Sequence, residues 1–222
     1  MITTPSGLSI ALLKERLTFA QTMKFAETNT LPSNKDVSSL LRSGGLRGDF
    51  RTGTIVVAEV PCKGFSAAVE FDGVSVSIPK RFQGLKDVAL VCEYPDYTFQ
   101  KGVENGVLTM GKNIIVVENY PRIDGWYLPH EDTMIPQGKR VSSLDSDVLY
   151  LYRASGAYAG SVVRGGGYDR RSVDLDCRAG VELRVAQYIG ESNGGHEVAT
   201  PKREAANVAQ PTDVDLKNGL RQ

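Results

Sequence analysis

Six short segments between residues 54 and 120 constrain the fold more than any other feature of this sequence. Each is rich in valine and isoleucine, and turn dipeptides such as Asp72-Gly73 and Asn105-Gly106 lie between them. Residues with branched side chains pack well on a pleated surface, so the region predicts a central antiparallel β domain over residues 50–118. The segments are TIVVAEV, FSAAVEF, VSVSIP, DVALVCEY, GVLTM and NIIVVENY.

One hairpin can be predicted residue by residue. In FDGVSVSIP, Phe71 precedes an Asp-Gly turn, and Val74, Val76 and Ile78 fall on one face of the returning strand. The alternation predicts that this face is buried.

The N-terminal region has a different pattern, with apolar residues three to five positions apart. Over Leu8 to Glu27 this spacing predicts an amphipathic helix. A second helix is predicted from Lys35 to Ser43, with Asn34 as its N-cap and Gly44 as its left-handed stop. Residues 1–49 are therefore interpreted as a helical arm that docks on another subunit, and the fold class is α+β.

The part after residue 118 is divided by composition. Residues 120–140 hold three prolines, two glycines and Trp126, the only tryptophan, which predicts an ordered loop with a domain boundary near Asn119. Trp126 is expected to be largely buried beneath the Arg164 to Gly167 turn. A further module is predicted over residues 119–190. Residues 191–222 have few large apolar side chains and are predicted to form a polar tail.

Charge and cysteine content limit the function classes. With 26 basic and 26 acidic residues, the net charge is zero, which argues against general binding to nucleic acid or a membrane surface. No apolar run approaches the roughly 18 residues that span a bilayer, and the first residues lack the pattern of a signal peptide. Three scattered cysteines favour reduced thiols, with Cys62 and Cys92 interpreted as buried structural residues.

No complete catalytic signature is present. His130-Glu131-Asp132 has no second histidine nearby at metal-ligand spacing, and the glycines at 165–167 lack a dinucleotide or Walker context. Neither a metal nor a cofactor is therefore assigned, and no catalytic residue is assigned. Arginines and tyrosines alternate between residues 158 and 188 as in a nucleic-acid surface, but interleaved aspartates favour internal ion pairs. The candidate binding residues are Trp126, His130, Arg164, Tyr168, Arg170 and Arg171.

The segments IDGWYLP, DVLYLYR, VVRGGGY, DCR and LRV follow one another between residues 123 and 185. In this order they resemble a compact member of the formylglycine-generating-enzyme-like family, a variant of the C-type-lectin fold that also occurs in bacteriophage proteins. The family's R-G-G-S-W turn, C-R pair and closing G-F-R strand correspond to Arg164-Gly165-Gly166, Cys177-Arg178 and Leu183-Arg184-Val185. Gly167-Tyr168 replaces the Ser-Trp of the family, and the paired copper-binding cysteines and the lectin calcium triplets are absent.

The resemblance implies a rigid scaffold without the family's catalytic residues. We therefore expect a non-enzymatic bacteriophage protein, a structural or assembly component of the virion that binds neighbouring protein subunits or copies of itself. It would be made in the host cytoplasm and then enter the virion. The alternative is an enzyme or anti-host factor that acts in the infected cytoplasm through the loop from Trp126 to Arg140.

Overall fold

The computed structural model describes residues 2–3, 7, 9–59, 63–71, 73–102, 106–142, 148–151, 158–159, 162–165, 173–176 and 182–189. The helices are α1 (Phe19–Ala26), α2 (Asn34–Arg42) and a short 3-10 helix (Lys80–Phe82). The strands are β1 (Ile2–Thr3), β2 (Ser9–Leu17), β3 (Asp49–Arg51), β4 (Thr54–Ala58), β5 (Ala68–Phe71), β6 (Val74–Ser77), β7 (Val88–Glu93), β8 (Tyr97–Lys101), β9 (Gly106–Met110), β10 (Ile115–Glu118), β11 (Gly125–Pro129), β12 (Pro136–Arg140), β13 (Leu149–Leu151), β14 (Tyr158–Ala159), β15 (Val162–Gly165), β16 (Val173–Asp176) and β17 (Leu183–Ile189).

The strands form three sheets, and the α+β class with a predominance of strands is confirmed. A nine-stranded sheet has the order β1-β2-β17-β3-β15-β16-β13-β11-β12. Two four-stranded sheets have the orders β10-β7-β4-β14 and β5-β6-β9-β8. Most pairs are antiparallel, but the β6/β9, β13/β16 and β17/β3 pairs are parallel. An all-antiparallel central domain is therefore a wrong prediction at the β6/β9 pair.

The main core lies where the two smaller sheets meet α1. The rings of Phe19 on α1 and Phe71 on β5 pack edge to face, with centroids 5.1 Å apart. A second cluster joins α2 to the nine-stranded sheet, where Val37 and Leu40 pack with Phe50 and Ala186. Each large apolar side chain that these clusters remove from water stabilises the fold by about 1.5–3 kcal/mol.

The predicted strands and the second helix are confirmed. All six valine- and isoleucine-rich segments contain a strand, and Val74, Val76 and Ile78 are buried as the hairpin pattern requires. α2 ends before Gly44, whose φ of +77° is the left-handed conformation expected of a helix stop. Its N-cap is Ser33, one residue earlier than predicted, and the Ser33 side chain accepts from the Asp36 N–H.

The single helix predicted over residues 8–27 is wrong in its first half. Residues 9–17 form β2, which lies between β1 and β17, and helix α1 starts only after Thr18. Thr18 and Gln21 form a capping box that fixes this start. Pairing with β17 satisfies the β2 backbone and overrides a spacing that also suits a helix.

The irregular loop predicted over residues 120–140 is also wrong, because β11 and β12 lie within it and pair as a hairpin. Pro129 and Pro136 stand at the strand ends beside the turn, and Gly138, with a φ of +79°, lies where the register shifts. The prolines and the glycine thus mark the ends and the irregularity of the hairpin.

Residues 1–190 group into one compact unit. Strand pairs connect the segments that the sequence suggested as separate: β2 pairs with β17, and β4 pairs with β14. The subdivision near residues 49 and 118 stays a prediction. The predicted tail, residues 191–222, lies outside the described residues.

Candidate functional site

An apolar surface lies on the outer face of the β13-β11-β12 end of the large sheet. Along β11, Gly125 and Tyr127 are buried, whereas Trp126 is half-buried and Leu128 is 53% exposed. Cross-strand pairing places Tyr150 opposite Trp126 and Gln137 opposite Leu128. These four residues, Trp126, Leu128, Gln137 and Tyr150, are here called the Trp126 surface.

Trp126 is held in this surface by an aromatic contact. Its ring meets the ring of Tyr150 edge to face, with centroids 5.0 Å apart and an interplanar angle of 74°. Such pairs contribute about 0.5–1.5 kcal/mol beyond the area that they bury. Trp126 is less exposed than Leu128 on the same face of the sheet, and the ring of Tyr150 packs against it. Whether the Arg164 to Gly167 turn covers Trp126 stays a prediction, because residues 166 and 167 lie outside the described residues.

The inner face of β11 gives this surface a rigid support. The Tyr127 hydroxyl donates to the Ile123 carbonyl at 2.8 Å, and burial raises the pKa of Tyr127. Arg140 lies against Gly125, where an added Cβ would stand 2.5 Å from the Arg140 Nε. A side chain at position 125 would therefore displace the Arg140 side chain from this place.

His130 starts the turn between β11 and β12. Its N–H donates to the Ile135 carbonyl at 2.8 Å, and its Nδ1 lies 3.1 Å from the hydroxyl of buried Thr133. Met134 adopts a φ of +54° as the chain turns back. In the described part of the chain, His130 belongs to no group of three or more metal-ligating side chains. Its contacts make it a residue that shapes the turn.

A buried ion-pair cluster connects the strand ends near β11. The Glu59 carboxylate is 2% exposed and accepts from the backbone N–H groups of Gly64 at 2.5 Å and Asp87 at 2.6 Å. Arg122 donates to Glu59 and also to Asp87, the latter at 3.0 Å. Burial acts to lower the pKa of Arg122, but its bonds to both carboxylates raise it further, so the guanidinium stays charged.

A second group of arginines converges on a pocket elsewhere in the large sheet. Arg16 of β2, Arg47 of the loop after α2 and Arg184 of β17 line a cavity of about 360 Å³. Gly48, Asp49 and Leu183 complete the lining. Arg16 and Arg184 are directly opposite each other across the antiparallel β2/β17 pair. We call this site the arginine pocket.

The predicted site residues are only partly brought together. Trp126 and His130 lie on the same hairpin. Arg164 on β15 and Trp126 on β11 belong to one cross-strand row. The row runs from Arg164 through Asp174 and Tyr150 to Trp126. Three strand spacings separate them by about 14 Å. Tyr168, Arg170 and Arg171 lie outside the described residues.

Sequence reasoning missed most of both sites. Leu128 had a usable signal, since GWYLP alternates as a strand does, but its proline suggested a loop. Tyr150 lies in a separate segment, DVLYLYR, and only the pairing of β11 with β13 brings it to Trp126. Arg16 was assigned to a helix, Arg47 to the helical arm, and Arg184 to the strand that closes the resemblance. No local pattern connects these three arginines, because long stretches of chain separate them.

The buried thiol of Cys92 is structural, as predicted. Its Sγ donates to the Asp96 carbonyl at 2.9 Å, and burial raises its pKa to about 11. A thiol that stays protonated near neutral pH is a poor nucleophile. Cys62 lies outside the described residues.

No protein-family model, curated protein or solved structure matches this chain. Within the described ranges, neither α1 nor α2 is long and apolar enough to cross a membrane. The function is therefore inferred from the chemistry of the Trp126 surface and the arginine pocket.

Proposed function

We propose that this chain is a non-enzymatic assembly protein that binds neighbouring protein subunits through the Trp126 surface, and that its first partner is a second copy of itself. The observation that carries the proposal is the exposure of Leu128, 53%, beside a half-buried tryptophan–tyrosine pair on a rigid hairpin. Aromatic side chains that are fixed in place and flanked by exposed apolar area are typical of the centre of an interface.

The charges around this surface favour a second copy as the partner. Glu131 and Asp132 lie at the turn of the hairpin, and Lys139 and Arg140 lie at the far end of β12. In a two-fold interface, two hairpins that run in opposite directions would place the acidic end of one against the basic end of the other. The apolar centre then lies between two complementary charge pairs.

The edge of β12 is less suited to binding than the face of the hairpin. Pro136 lacks an N–H donor, the Gly138 N–H donates to the Asn119 carbonyl at 3.0 Å, and Lys139 is exposed. Proline, bulges and lysine on an edge strand oppose the addition of another strand. The proposed contact therefore uses side chains of the sheet face and not main-chain pairing.

The setting that we propose is a bacteriophage virion, with synthesis in the host cytoplasm, and its support is the sequence resemblance described above. Detection of the protein at a fixed stoichiometry in purified virions would support this setting. Absence from virions, with the protein remaining in the infected-cell lysate, would contradict it and favour the alternative role in the cytoplasm.

Self-association is tested by comparing Leu128→Ser with Leu85→Ser in the full chain. Leu85 is a matched control, because it is also an exposed leucine, at 38%, but lies outside the Trp126 surface. A two-fold interface contains Leu128 from both copies, so the substitution removes two leucines from it. We therefore expect Leu128→Ser to raise the dimer dissociation constant by about a hundredfold or more. Multi-angle light scattering across a concentration series measures this change.

Two results would overturn the self-association proposal. One is a wild-type protein that stays at the monomer mass of 24.1 kDa at every concentration. The other is an equal loss of mass in the two leucine variants, which would show that the interface lies elsewhere.

A further inference from the structure

We propose that the arginine pocket is a binding site for the phosphoryl group of a small phosphorylated ligand. This site is separate from the Trp126 surface, since four strands, β3, β15, β16 and β13, lie between β17 and β11 in the sheet order. With a strand spacing of about 4.8 Å, the two sites are roughly 24 Å apart. Each can therefore be tested without altering the other.

Two like charges lie directly opposite each other at this pocket. Arg16 and Arg184 are cross-strand partners, and like charges in that position destabilise a sheet. Arg47 adds a third positive charge from a loop. Among the described residues, none of the three forms an ion pair. An anion between them would turn this repulsion into attraction.

The balance of charge in the lining supports an anionic ligand. Three arginines and one carboxylate, that of Asp49, leave a net charge of +2 on the walls of the pocket. Arg16, Arg47 and Arg184 are all exposed to solvent, so their guanidinium groups are accessible to a ligand that enters from outside. Buried Leu183 forms the apolar part of the lining.

The local backbone is shaped to bring the loop against the sheet. Gly48 has a φ of +100°, a conformation that side-chain-bearing residues rarely adopt. A Cβ at this position would lie 4.0 Å from Nη1 of Arg184. That distance is an ordinary contact, so the positive φ, and not the space available, favours glycine at this turn beside Arg47.

The chemistry of the pocket selects phosphoryl groups among anions. The planar guanidinium has a fork of donors that matches two phosphoryl oxygens at once, and three such groups line this one cavity. A volume of about 360 Å³ is within the range of small-molecule sites. A concave site on a chain of zero net charge favours a small ligand over a nucleic-acid backbone, which needs an extended basic surface.

The first test is isothermal titration of the full-length protein with pyrophosphate at constant ionic strength. We expect saturable binding by the wild type, and a loss of affinity of about tenfold to a hundredfold in Arg16→Gln and in Arg184→Gln. Lys14→Gln is the matched control, because it removes one positive charge from the same strand outside the pocket. Lys14→Gln should bind pyrophosphate with nearly wild-type affinity.

Parallel titrations identify the source of the phosphoryl group. Inorganic phosphate tests the free ion, a nucleoside diphosphate tests an organic phosphate, and a single-stranded oligonucleotide tests the polymer. Oligonucleotide binding without pyrophosphate binding would overturn the proposal in favour of nucleic acid. Absence of binding at millimolar pyrophosphate, or an equal loss of affinity in Lys14→Gln, would also overturn it.

The melting temperature of the wild type gives a second test that does not depend on whether the variants fold. Pyrophosphate should raise the melting temperature in proportion to the logarithm of its concentration above the dissociation constant. Sodium chloride at matched ionic strength should not raise the melting temperature in this way. Identical shifts in pyrophosphate and in chloride would show general screening and would contradict a specific site.

Discussion

Arginine is used in opposite ways in two regions of this molecule. Arg122 is partly buried and bonded to two carboxylates, and the carboxylate of Glu59 also accepts two backbone N–H groups. In the arginine pocket, three exposed arginines converge with only Asp49 as a counter-charge in the lining. The first region satisfies its charges internally, whereas the second leaves them available to a ligand.

The ion pairs of Arg122 stabilise the fold, whereas the opposition of Arg16 and Arg184 destabilises it. Removing the Glu59 carboxylate would leave two backbone N–H groups without their acceptor and would leave Arg122 with Asp87 as its carboxylate partner, which is costly. Removing one of two opposed arginines relieves repulsion instead. The same type of side chain should therefore give opposite signs of stability change in the two regions.

The largest expected effect is at Glu59. We expect Glu59→Ala to lower the free energy of unfolding by about 3–5 kcal/mol, because Arg122 and two backbone N–H groups would lose their acceptor. Urea denaturation measures this loss. Asp87→Asn is the control, since the Asp87 side chain is 76% exposed and its removal should cost less than about 1 kcal/mol. Equal losses in the two variants would remove the distinction between the regions.

A smaller effect is expected at the buried thiol of Cys92. Its pKa rises from 9.0 to about 11, because burial disfavours the thiolate. The raised value means that the stability contribution is complete below pH 9 and is lost as the pH approaches 11. The wild type should lose about 1 kcal/mol more than Cys92→Ala between pH 8 and pH 10. Parallel alkaline losses in the two proteins would contradict this assignment.

The smallest effect is at Arg184 and has the opposite sign. Arg184→Glu replaces a repulsive cross-strand pair by an attractive one, so the free energy of unfolding should rise by about 0.2–1 kcal/mol at low salt. The gain should shrink in 1 M sodium chloride, where screening is strong. Arg47→Glu, in the loop and outside the strand pair, should show less gain. A loss of stability in Arg184→Glu would mean that the arginine is structural, as Arg122 is.

The parts of the fold that local sequence determines were predictable. The hairpin of β5 and β6 follows from alternation and an Asp-Gly turn, and α2 follows from its apolar stripe and Gly44. Strand β2 was not predictable, because its apolar spacing also suits a helix and its partner β17 begins 166 residues after its own end, from residue 17 to residue 183. Pairing between strands that are far apart in the chain cannot be recognised from the local spacing of apolar residues.

The candidate sites show the same limit. Trp126 and His130 were selected by residue type, and they lie on one hairpin because they are close in the chain. The arginine pocket draws on residues 16, 47 and 184, and only the insertion of β17 between β2 and β3 brings them together. Even the opposition of Arg16 and Arg184 depends on a register that the sequence does not reveal.

The interior position of β17, between β2 and β3, also determines how long β2 stays unpaired on one edge during synthesis. β2 and β3 both take β17 as a neighbour, yet β17 is made 166 residues after β2 ends. At translation rates of about 5–20 residues per second, β2 waits roughly 8 to 33 seconds with one edge unpaired. During that interval the growing chain presents an open strand that other chains can pair with. Slower translation would lengthen this exposure, so the yield of soluble protein should depend on the speed of the ribosome as well as on the sequence.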